Sequence, residues 1–228
     1  MLKVALLYPD LLGTYGDAGN ALVLVERARR RGYEAEAIAV TMNDELPDAS
    51  LYLLGGGEDG PQRLASDLLA ATSLAARLRD GAHVFAVCAG LQILGEHFSV
   101  EGNDRYAGLG AFDLSTTRGA TRAVGDLVIT AGAHTLVGFE NHGGVTTLGV
   151  GLAPLGTVKR GRGNDGVHDG FRTERAWGTY AHGPVLALNP WLADEVLVSV
   201  TGDEMAPLAS VADRLYAERL ASLSPRGA

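Results

Sequence analysis

The sequence predicts an α/β fold in which helices flank a mostly parallel, doubly wound sheet. Three observations favour this fold. Apolar runs typical of buried strands alternate with segments of helical spacing along the first half of the chain. Glycines 55–57 follow one such strand, at the sheet edge where parallel folds carry their sites. Another strand runs straight into Cys88, the only cysteine, and a helical pattern follows at once.

Five apolar runs are expected to form the sheet. Each is short and largely apolar, as strands covered on both faces of a parallel sheet usually are. The runs are Leu2–Leu7, Ala35–Val40, and residues 50–54, 84–87 and 176–181.

The first helix is predicted to follow a polar, glycine-rich loop at residues 13–20. Leu22, Val25 and Ala28 would form its apolar face, and Gly32 would end it. The arginines expected to face water are Arg27, Arg30 and Arg31.

Helical spacing also predicts later helices, at about residues 62–79 and 207–223. A short helix carrying Leu91 and Leu94 should follow Cys88, and Asn189 with Pro190 should begin another. The residues expected to face the core are Leu64, Leu68, Ala71, Ala75 and Leu78 in the first of these, and Leu208, Val211, Leu215 and Leu220 in the last. Residues 224–228 are expected to fray.

Between residues 106 and 158 the pattern changes to short strand-like pieces separated by glycines. These pieces, at 127–130, 135–139 and 145–148, predict an antiparallel or mixed extension of the same sheet domain, followed by a polar loop at 161–166. The chain is therefore expected to form a single domain over residues 1–228.

Composition limits the classes of function. The chain has 228 residues, 46% of them hydrophobic, which is enough for one well-buried core. A net charge of -8 argues against non-specific binding to nucleic acid or to acidic membranes. One cysteine excludes an internal disulfide and a multi-cysteine zinc site. The N-terminal apolar run is too short for a signal peptide, so a soluble, cytoplasmic protein is expected.

Cys88 lies where a strand, a sharp turn and a helix meet, which is the arrangement of a nucleophile elbow. Ala86 stands where the usual motif has its first glycine. A lone cysteine is more often a small buried side chain. Its place at a helix N-terminus favours a nucleophile with a lowered pKa, because the helix dipole stabilises a thiolate.

A nucleophilic thiol needs a base and donors for the oxyanion. His182 follows a strand and opens a tight Gly-Pro turn, so it is the predicted base. The predicted oxyanion donors are the backbone N–H groups of Ala89, Gly56 and Gly57, although residues 55–57 are also consistent with a plain tight turn. The histidines expected to be surface or structural residues are His83, His97, His134, His142 and His168.

The loop at residues 13–20 lacks the Lys-Ser/Thr pair of a P-loop and the spacing of a dinucleotide fingerprint. It is therefore interpreted as a tight strand-to-helix connection or as a surface that a partner recognises, rather than as a phosphate cradle.

Three segments together resemble the class I, triad-type glutamine amidotransferases, in particular the cobyric-acid-synthase-like branch. They are residues 55–57, residues 87–95 (VCAGLQILG) and residues 179–184 (TYAHGP). Residues 15–20 (YGDAGN) and 138–144 (GFENHGG) further resemble the glutaminase subunits of lipid II isoglutaminyl synthases. The similarity runs from about residue 4 to residue 195, and it implies a flavodoxin-like sheet.

The resemblance implies that glutamine is hydrolysed to glutamate and ammonia through a thioester on Cys88, with His182 as base. Arg122 falls where the family binds glutamine, and Gly56 would also contact the substrate. The ammonia would pass to a Mur-ligase-like partner of the MurT type in a heterodimer, which would use ATP and Mg to amidate the D-glutamate of lipid II. No cofactor or metal is expected in this subunit.

One position departs from the family. The acid that usually stands two residues after the histidine is replaced by Pro184. The third member of the triad is therefore absent, is Glu140, or comes from the partner, and an absent or partner residue would make the isolated chain a poor glutaminase.

Three other readings stay open. The acceptor could be another molecule, as in a cobyrinate-type amidation, although that family is normally fused to a synthetase domain for which this chain has no room. The chain could be a non-catalytic scaffold subunit, or a stress-type cysteine protein with a similar elbow that would not need Arg122.

Overall fold

The structure is a computed structural model that describes residues 1–100 and 104–223. The expectation that residues 224–228 fray lies outside this part of the chain. The strands are β1 (Leu2–Leu7), β2 (Ala35–Val40), β3 (Leu51–Leu54), β4 (His83–Val87), β5 (His97–Ser99), β6 (Arg105–Ala107), β7 (Leu114–Ala131), β8 (His134–Leu148), β9 (Gly156–Arg160), β10 (His168–Asp169), β11 (Phe171–Arg172) and β12 (Ala176–Thr179). The helices are α1 (Ala18–Arg29), α2 (Asp59–Ala70), α3 (Leu74–Arg79), α4 (Ala89–Leu94), α5 (Val185–Leu188), α6 (Pro190–Thr201) and α7 (Val211–Leu223).

A six-stranded sheet forms the centre of the fold, in the order β11-β12-β4-β3-β1-β2. The pairs from β12 to β2 are parallel, and β11 alone joins the edge in the antiparallel direction. The order of the five parallel strands is that of the flavodoxin-like doubly wound fold, which confirms the predicted fold class. The carboxyl ends of β1, β3, β4 and β12 therefore meet at one edge of the sheet.

Side chains of the parallel strands alternate between two apolar cores, one on each face. On one face Leu6, Leu53 and Val87 pack with residues of α1 and α6. On the other face Leu7 and Leu54 pack with residues of α2, α3 and α4. Because both faces are covered, the strands were recognisable as nearly continuous apolar runs.

The second sheet is mixed and is built around a long hairpin. Strands β7 and β8 pair antiparallel from Leu114–Leu148 to Ala131–His134, with a break in register between Arg118 and Ala123. Strand β5 pairs parallel with β7, and β9 pairs with its other end. The short pieces predicted at 127–130, 135–139 and 145–148 are thus parts of two long strands. Glycines within these strands hid their continuity from the sequence pattern.

The first helix forms where it was predicted, but its buried face is rotated. Leu22 is exposed, whereas Leu24 is buried with Val25 and Ala28. Arg27 was expected to face water and is buried instead, because its guanidinium forms two hydrogen bonds with the carboxylate of Asp194 on α6. A partner 167 residues away could not be inferred from the local pattern.

Two other helix predictions are corrected. The single helix expected at 62–79 is two helices, α2 and α3, because the Thr72 hydroxyl interrupts it by donating to the Leu69 carbonyl and accepting from the Leu74 N–H. The last helix has no core face, since none of its residues is buried and Val211 and Leu215 are exposed. Within the described residues, no helix has both the length and the hydropathy to cross a membrane.

Candidate active site

The candidate site lies at the carboxyl edge of the central sheet, where four connections converge. Asp17 comes from the connection after β1, Gly56 from the turn after β3, Cys88 from the end of β4, and His182 from the turn after β12. These strands are neighbours in the sheet, so residues far apart in sequence meet there.

Cys88 sits on a sharp turn between β4 and α4. Its backbone has φ of 49° and ψ of -106°, a left-handed conformation that is uncommon outside glycine. The Cys88 N–H donates to the Thr179 carbonyl at 2.9 Å, and the Gly90 N–H donates to the Gly55 carbonyl at 3.1 Å. The turn is therefore held on both sides by the neighbouring strands, which is the predicted elbow geometry.

Cys88 lines a cleft, but the residue is only 6% exposed. Burial raises its pKa to about 12, and the negative charge of Asp17 acts in the same direction. The Ala89 N–H and the charge of Arg122 oppose this shift without overcoming it. The expectation of a lowered pKa is therefore wrong for the free chain, because desolvation outweighs the helix N-terminus.

His182 lies deep in the same region, with its side chain 1% exposed. The ring packs against the ring of Tyr15, with centroids 4.4 Å apart. Its Nδ1 lies 3.5 Å from Oδ2 of Asp17, and among the described residues neither ring nitrogen has a hydrogen-bond partner. The imidazole is thus sequestered from water with a carboxylate as its nearest charged neighbour.

Asp17 is equally buried and links His182 to the glycine turn. Its Oδ2 accepts the Gly56 N–H at 2.7 Å, while its Oδ1 has no partner among the described residues. A Cβ placed on Gly56 would lie 2.5 Å from Cε1 of His182, so this close approach requires glycine. In this structure the Gly56 N–H is therefore engaged by Asp17, whereas Gly57 lines the cleft together with Cys88.

Arg122 lines the cleft that contains Cys88. Its Nε donates to Oδ1 of Asn141 at 2.5 Å, and Nδ2 of Asn141 donates to the Tyr15 hydroxyl at 2.7 Å. A chain of hydrogen bonds thus connects Arg122 on β7 to the ring that packs on His182. The other residues of this cleft are Glu58, Asp59, Gln62, Gln92, Ser99, Arg118, Gly119, Ala120, Thr121, His142, Gly143 and Gly144.

Glu140 does not orient His182. Its carboxylate accepts the Arg162 N–H at 2.7 Å and the Gly163 N–H at 2.9 Å, and it lies 3.2 Å from Nε2 of His142. Burial works against its charge, but these hydrogen bonds hold the pKa of Glu140 below its usual value. Of the three alternatives left open for the third triad member, Glu140 does not fit, and the carboxylate beside His182 is Asp17.

His142 is a buried structural residue under the cleft, as expected. Its Nδ1 lies 3.0 Å from the Gly144 carbonyl oxygen, and its Nε2 lies 3.2 Å from Oε2 of Glu140. Its ring stacks on Tyr180 with centroids 3.8 Å apart. The Tyr180 hydroxyl in turn accepts from Nε2 of Gln92 at 3.1 Å. This polar network supports the floor of the cleft beside Cys88.

Sequence reasoning predicted Cys88 as nucleophile and His182 as base, but it did not assign a role to Asp17 or Tyr15. Both lie in the loop after β1, which was interpreted as a connection or a partner surface. The signal that points to them is positional, because a polar residue after the carboxyl end of β1 must share an edge with the residues that follow β3 and β4.

Comparisons with known proteins agree with the fold and with the family that the sequence motifs resemble. A family model described as a CobB/CobQ-like glutamine amidotransferase domain matches residues 3–190. Subunit GatD of lipid II isoglutaminyl synthase (glutamine-hydrolyzing) from Staphylococcus aureus (strain N315) is 33% identical over 195 residues, covering 82% of this chain and 79% of that protein. The GatD subunit from Streptococcus pneumoniae (strain ATCC BAA-255 / R6) is 34% identical over 203 residues, covering 84% and 77%.

Solved structures support the same fold. A crystal structure described as a glutamine amidotransferase aligns with a TM-score of 0.59 and 20% identity, over 87% of this chain and 98% of that chain. Since the family model matches most of the chain and both sequence relatives exceed 30% identity, the chain belongs to the CobB/CobQ-like family of glutamine amidotransferases.

Proposed function

We propose that this chain hydrolyses L-glutamine to glutamate and ammonia through a thioester on Cys88. The observation that carries the proposal is the elbow geometry of Cys88, whose strained turn projects a thiol into a cleft that also contains Arg122. His182 is the proposed base, since it follows the neighbouring parallel strand and is shielded from water.

The raised pKa of the thiol decides how the reaction begins. Because burial keeps Cys88 protonated, His182 takes the Sγ proton as the sulfur attacks the side-chain amide carbon of glutamine. The resulting oxyanion accepts hydrogen bonds from the Ala89 and Gly57 N–H groups. The C–N bond then breaks as His182 returns the proton to the leaving nitrogen, which departs as ammonia. Water hydrolyses the thioester and releases glutamate.

Arg122 is proposed to bind the α-carboxylate of glutamine. A guanidinium can donate two parallel hydrogen bonds to a carboxylate, which fixes both position and orientation. Asn141 accepts from Nε of Arg122 at 2.5 Å and from Nη2 at 3.4 Å, so Nη1 would face the substrate, and a second hydrogen bond to the carboxylate would require Nη2 to exchange its long contact with Asn141. Gly56 contributes by its lack of a side chain, because any Cβ there would displace His182.

The proposed acceptor of the ammonia is a Mur-ligase-like partner subunit of the MurT type, in a cytoplasmic heterodimer. The two curated relatives named as GatD subunits of lipid II isoglutaminyl synthase support this proposal. The partner would use ATP and Mg to amidate the D-glutamate of lipid II, and this subunit would hold no cofactor. The glutaminase would then serve peptidoglycan synthesis.

The experiment compares the Cys88→Ser chain with the wild type, each reconstituted with the ligase subunit. We expect glutamine-dependent amidation of lipid II to be lost, because a hydroxyl in this site is a far weaker nucleophile than a thiol. Amidation supplied with ammonium chloride should continue at the wild-type rate. Loss of both activities would contradict the division of labour between the subunits.

Treatment with a glutamine-analogue alkylator, followed by mass spectrometry, distinguishes the proposed catalytic role from a non-catalytic scaffold role. The proposal requires an adduct on Cys88 when the partner is present, and its absence on the Arg122→Ala chain at the same concentration. A wild-type complex that forms no adduct would favour the scaffold.

A further inference from the structure

The position that usually orients the histidine is Pro184, which has no acceptor side chain. We propose that Asp17, from the connection after β1, takes over this role and positions His182 within the same chain. The inference rests on the proposed function, since it concerns the base of that reaction. It makes Asp17 a positioning residue that acts through His182.

Burial and charge support this assignment. Asp17 and His182 each have a side chain that is 1% exposed, and the two polar groups lie 3.5 Å apart. An ionised carboxylate is costly to bury unless it is paired. Among the described residues Oδ1 of Asp17 and both ring nitrogens of His182 have no other partner. A hydrogen bond from Nδ1–H of His182 to Oδ2 of Asp17 would give this buried ring nitrogen a partner and pair the buried carboxylate with the imidazole.

The distance is slightly longer than a hydrogen bond, as is common at catalytic contacts before substrate binds. An Nδ1–H directed at Asp17 selects the tautomer in which Nε2 carries the lone pair. The Nε2 atom is then free to accept the proton of Cys88. Asp17 thereby determines which nitrogen acts as the base.

Asp17 also connects the base to the glycine turn. Its Oδ2 accepts the Gly56 N–H at 2.7 Å, so one carboxylate fixes the backbone beside Gly57 and faces His182. This dual contact places the base and a proposed oxyanion donor in a fixed relation to one another.

The remainder of the 15–20 motif holds this loop against the turn that carries His182. Oδ1 of Asn20 accepts the Leu186 N–H at 2.9 Å. A Cβ on Gly19 would lie 2.3 Å from Cγ of Pro184, so the two segments pack without a gap. Tyr15 covers one side of the imidazole. Residues 15–20 therefore pack directly against the turn that contains Pro184 and His182.

Other carboxylates do not fit the role. Glu140 is committed to His142 and to two backbone N–H groups. Glu58 lies in the wall of the cleft, 3.5 Å from the Tyr15 hydroxyl. Among the described residues, Asp17 is the carboxylate that the structure pairs with His182.

The test uses the full chain in complex with its ligase subunit and compares Asp17→Asn with the wild type. Asparagine keeps an oxygen that can accept the Gly56 N–H, so the loop should stay folded while the charge at His182 is lost. We expect kcat for glutamine hydrolysis to fall about 100-fold or more, with KM changed by less than about threefold. Asp10→Asn, on an exposed carboxylate of the same connection, should leave both constants unchanged.

A second readout does not depend on activity. In proton NMR spectra of the wild-type chain, a downfield imidazole N–H resonance that disappears in His182→Gln should also disappear in Asp17→Asn. Retention of that resonance in Asp17→Asn, or a wild-type kcat for this variant, would overturn the inference. If the wild-type complex has no glutaminase activity, the proposed function fails, and the resonance still decides the role of Asp17.

Discussion

Cys88 combines a strained backbone with a buried thiol, and the two features have opposite effects on its reactivity. The left-handed turn projects the sulfur toward the cleft, whereas desolvation raises its pKa to about 12. The thiol is consequently neutral near pH 7 until a base removes its proton. Because a neutral thiol is less reactive than a thiolate, Cys88 should resist oxidation in the absence of substrate.

The pH dependence of alkylation tests this state. Because the pKa of the folded thiol lies above its ordinary value, the thiolate population grows only as pH rises toward about 12. We expect the rate of Cys88 carbamidomethylation by iodoacetamide in the free chain to keep rising from about pH 7 to about pH 10.

Free cysteine, measured in parallel, should level off near its ordinary pKa of about 8.5. A plateau for Cys88 at or below neutral pH would contradict the raised pKa and would restore the prediction of a preformed thiolate.

Residues that follow a strand directly were within reach of sequence reasoning. Cys88 and His182 each end an apolar run, so the edge they share could be predicted. Asp17 and Arg27 depend on partners that are distant in sequence, His182 and Asp194 respectively. A local sequence pattern does not reveal such a pairing, and it does not distinguish a buried arginine from an exposed one.

At the scale of elements, the elbow depends on how closely α4 approaches β3. A Cβ on Gly90 would lie 2.5 Å from Cβ of Leu54 and 2.7 Å from its carbonyl oxygen. Two backbone segments meet there, so the contact cannot be relieved by rotating a flexible side chain. The short helix after Cys88 therefore needs glycine at its second residue.

Gly90→Ala should destabilise the fold by about 1–3 kcal/mol, the usual cost of forcing an atom into a packed region. Chemical denaturation followed by circular dichroism measures the change in the free energy of unfolding.

Gly60→Ala is the matched control, because a Cβ there meets nothing within 4 Å and the residue lies in α2. Its effect should be neutral or stabilising by up to about 1 kcal/mol. Equal destabilisation by both substitutions would contradict the packing argument.

The elements themselves were predictable to different extents. Strands β1 and β2 both have the predicted bounds. Strand β1 is covered on both faces and leaves a nearly continuous apolar signature, whereas β2 lies at the sheet edge with Ala37 and Ala39 exposed. The β7–β8 hairpin was predicted only in pieces, since its exposed positions and glycines interrupt the alternation. The predicted buried face of α1 was wrong because packing against the distant α6, and not the local sequence pattern, determines which of its side chains are buried.

For the whole molecule, an ion pair joins the first helix to the C-terminal part of the chain. Arg27 on α1 and Arg31 both bind the carboxylate of Asp194 on α6, at 2.6 and 2.9 Å. The side chain of Arg27 is 6% exposed, so removal of Asp194 would leave a buried charge whose remaining carboxylate neighbour, Asp213, lies at the longer distance of 3.8 Å.

Asp194→Ala should therefore lower the free energy of unfolding by roughly 2–3 kcal/mol, somewhat less than for a fully buried pair because Asp194 is 26% exposed. Thermal and urea unfolding of the two chains measure this difference.

Glu26→Ala removes the exposed partner of Arg30 and should cost no more than about 0.5 kcal/mol. Equal costs for Asp194→Ala and Glu26→Ala would show that the buried pair does not connect the two ends of the fold.

The buried ion pair has a consequence for any shortened version of this protein. The family match ends at residue 190, and every residue of the cleft lies before that point. Asp194 lies beyond it, and so do Leu192, Val196 and Leu197, which fill one of the two cores. A recombinant fragment cut at the family boundary would retain every residue of the cleft but would lose the buried ion pair and part of one core. Inactivity of such a fragment would therefore indicate unfolding and not a missing reactive group.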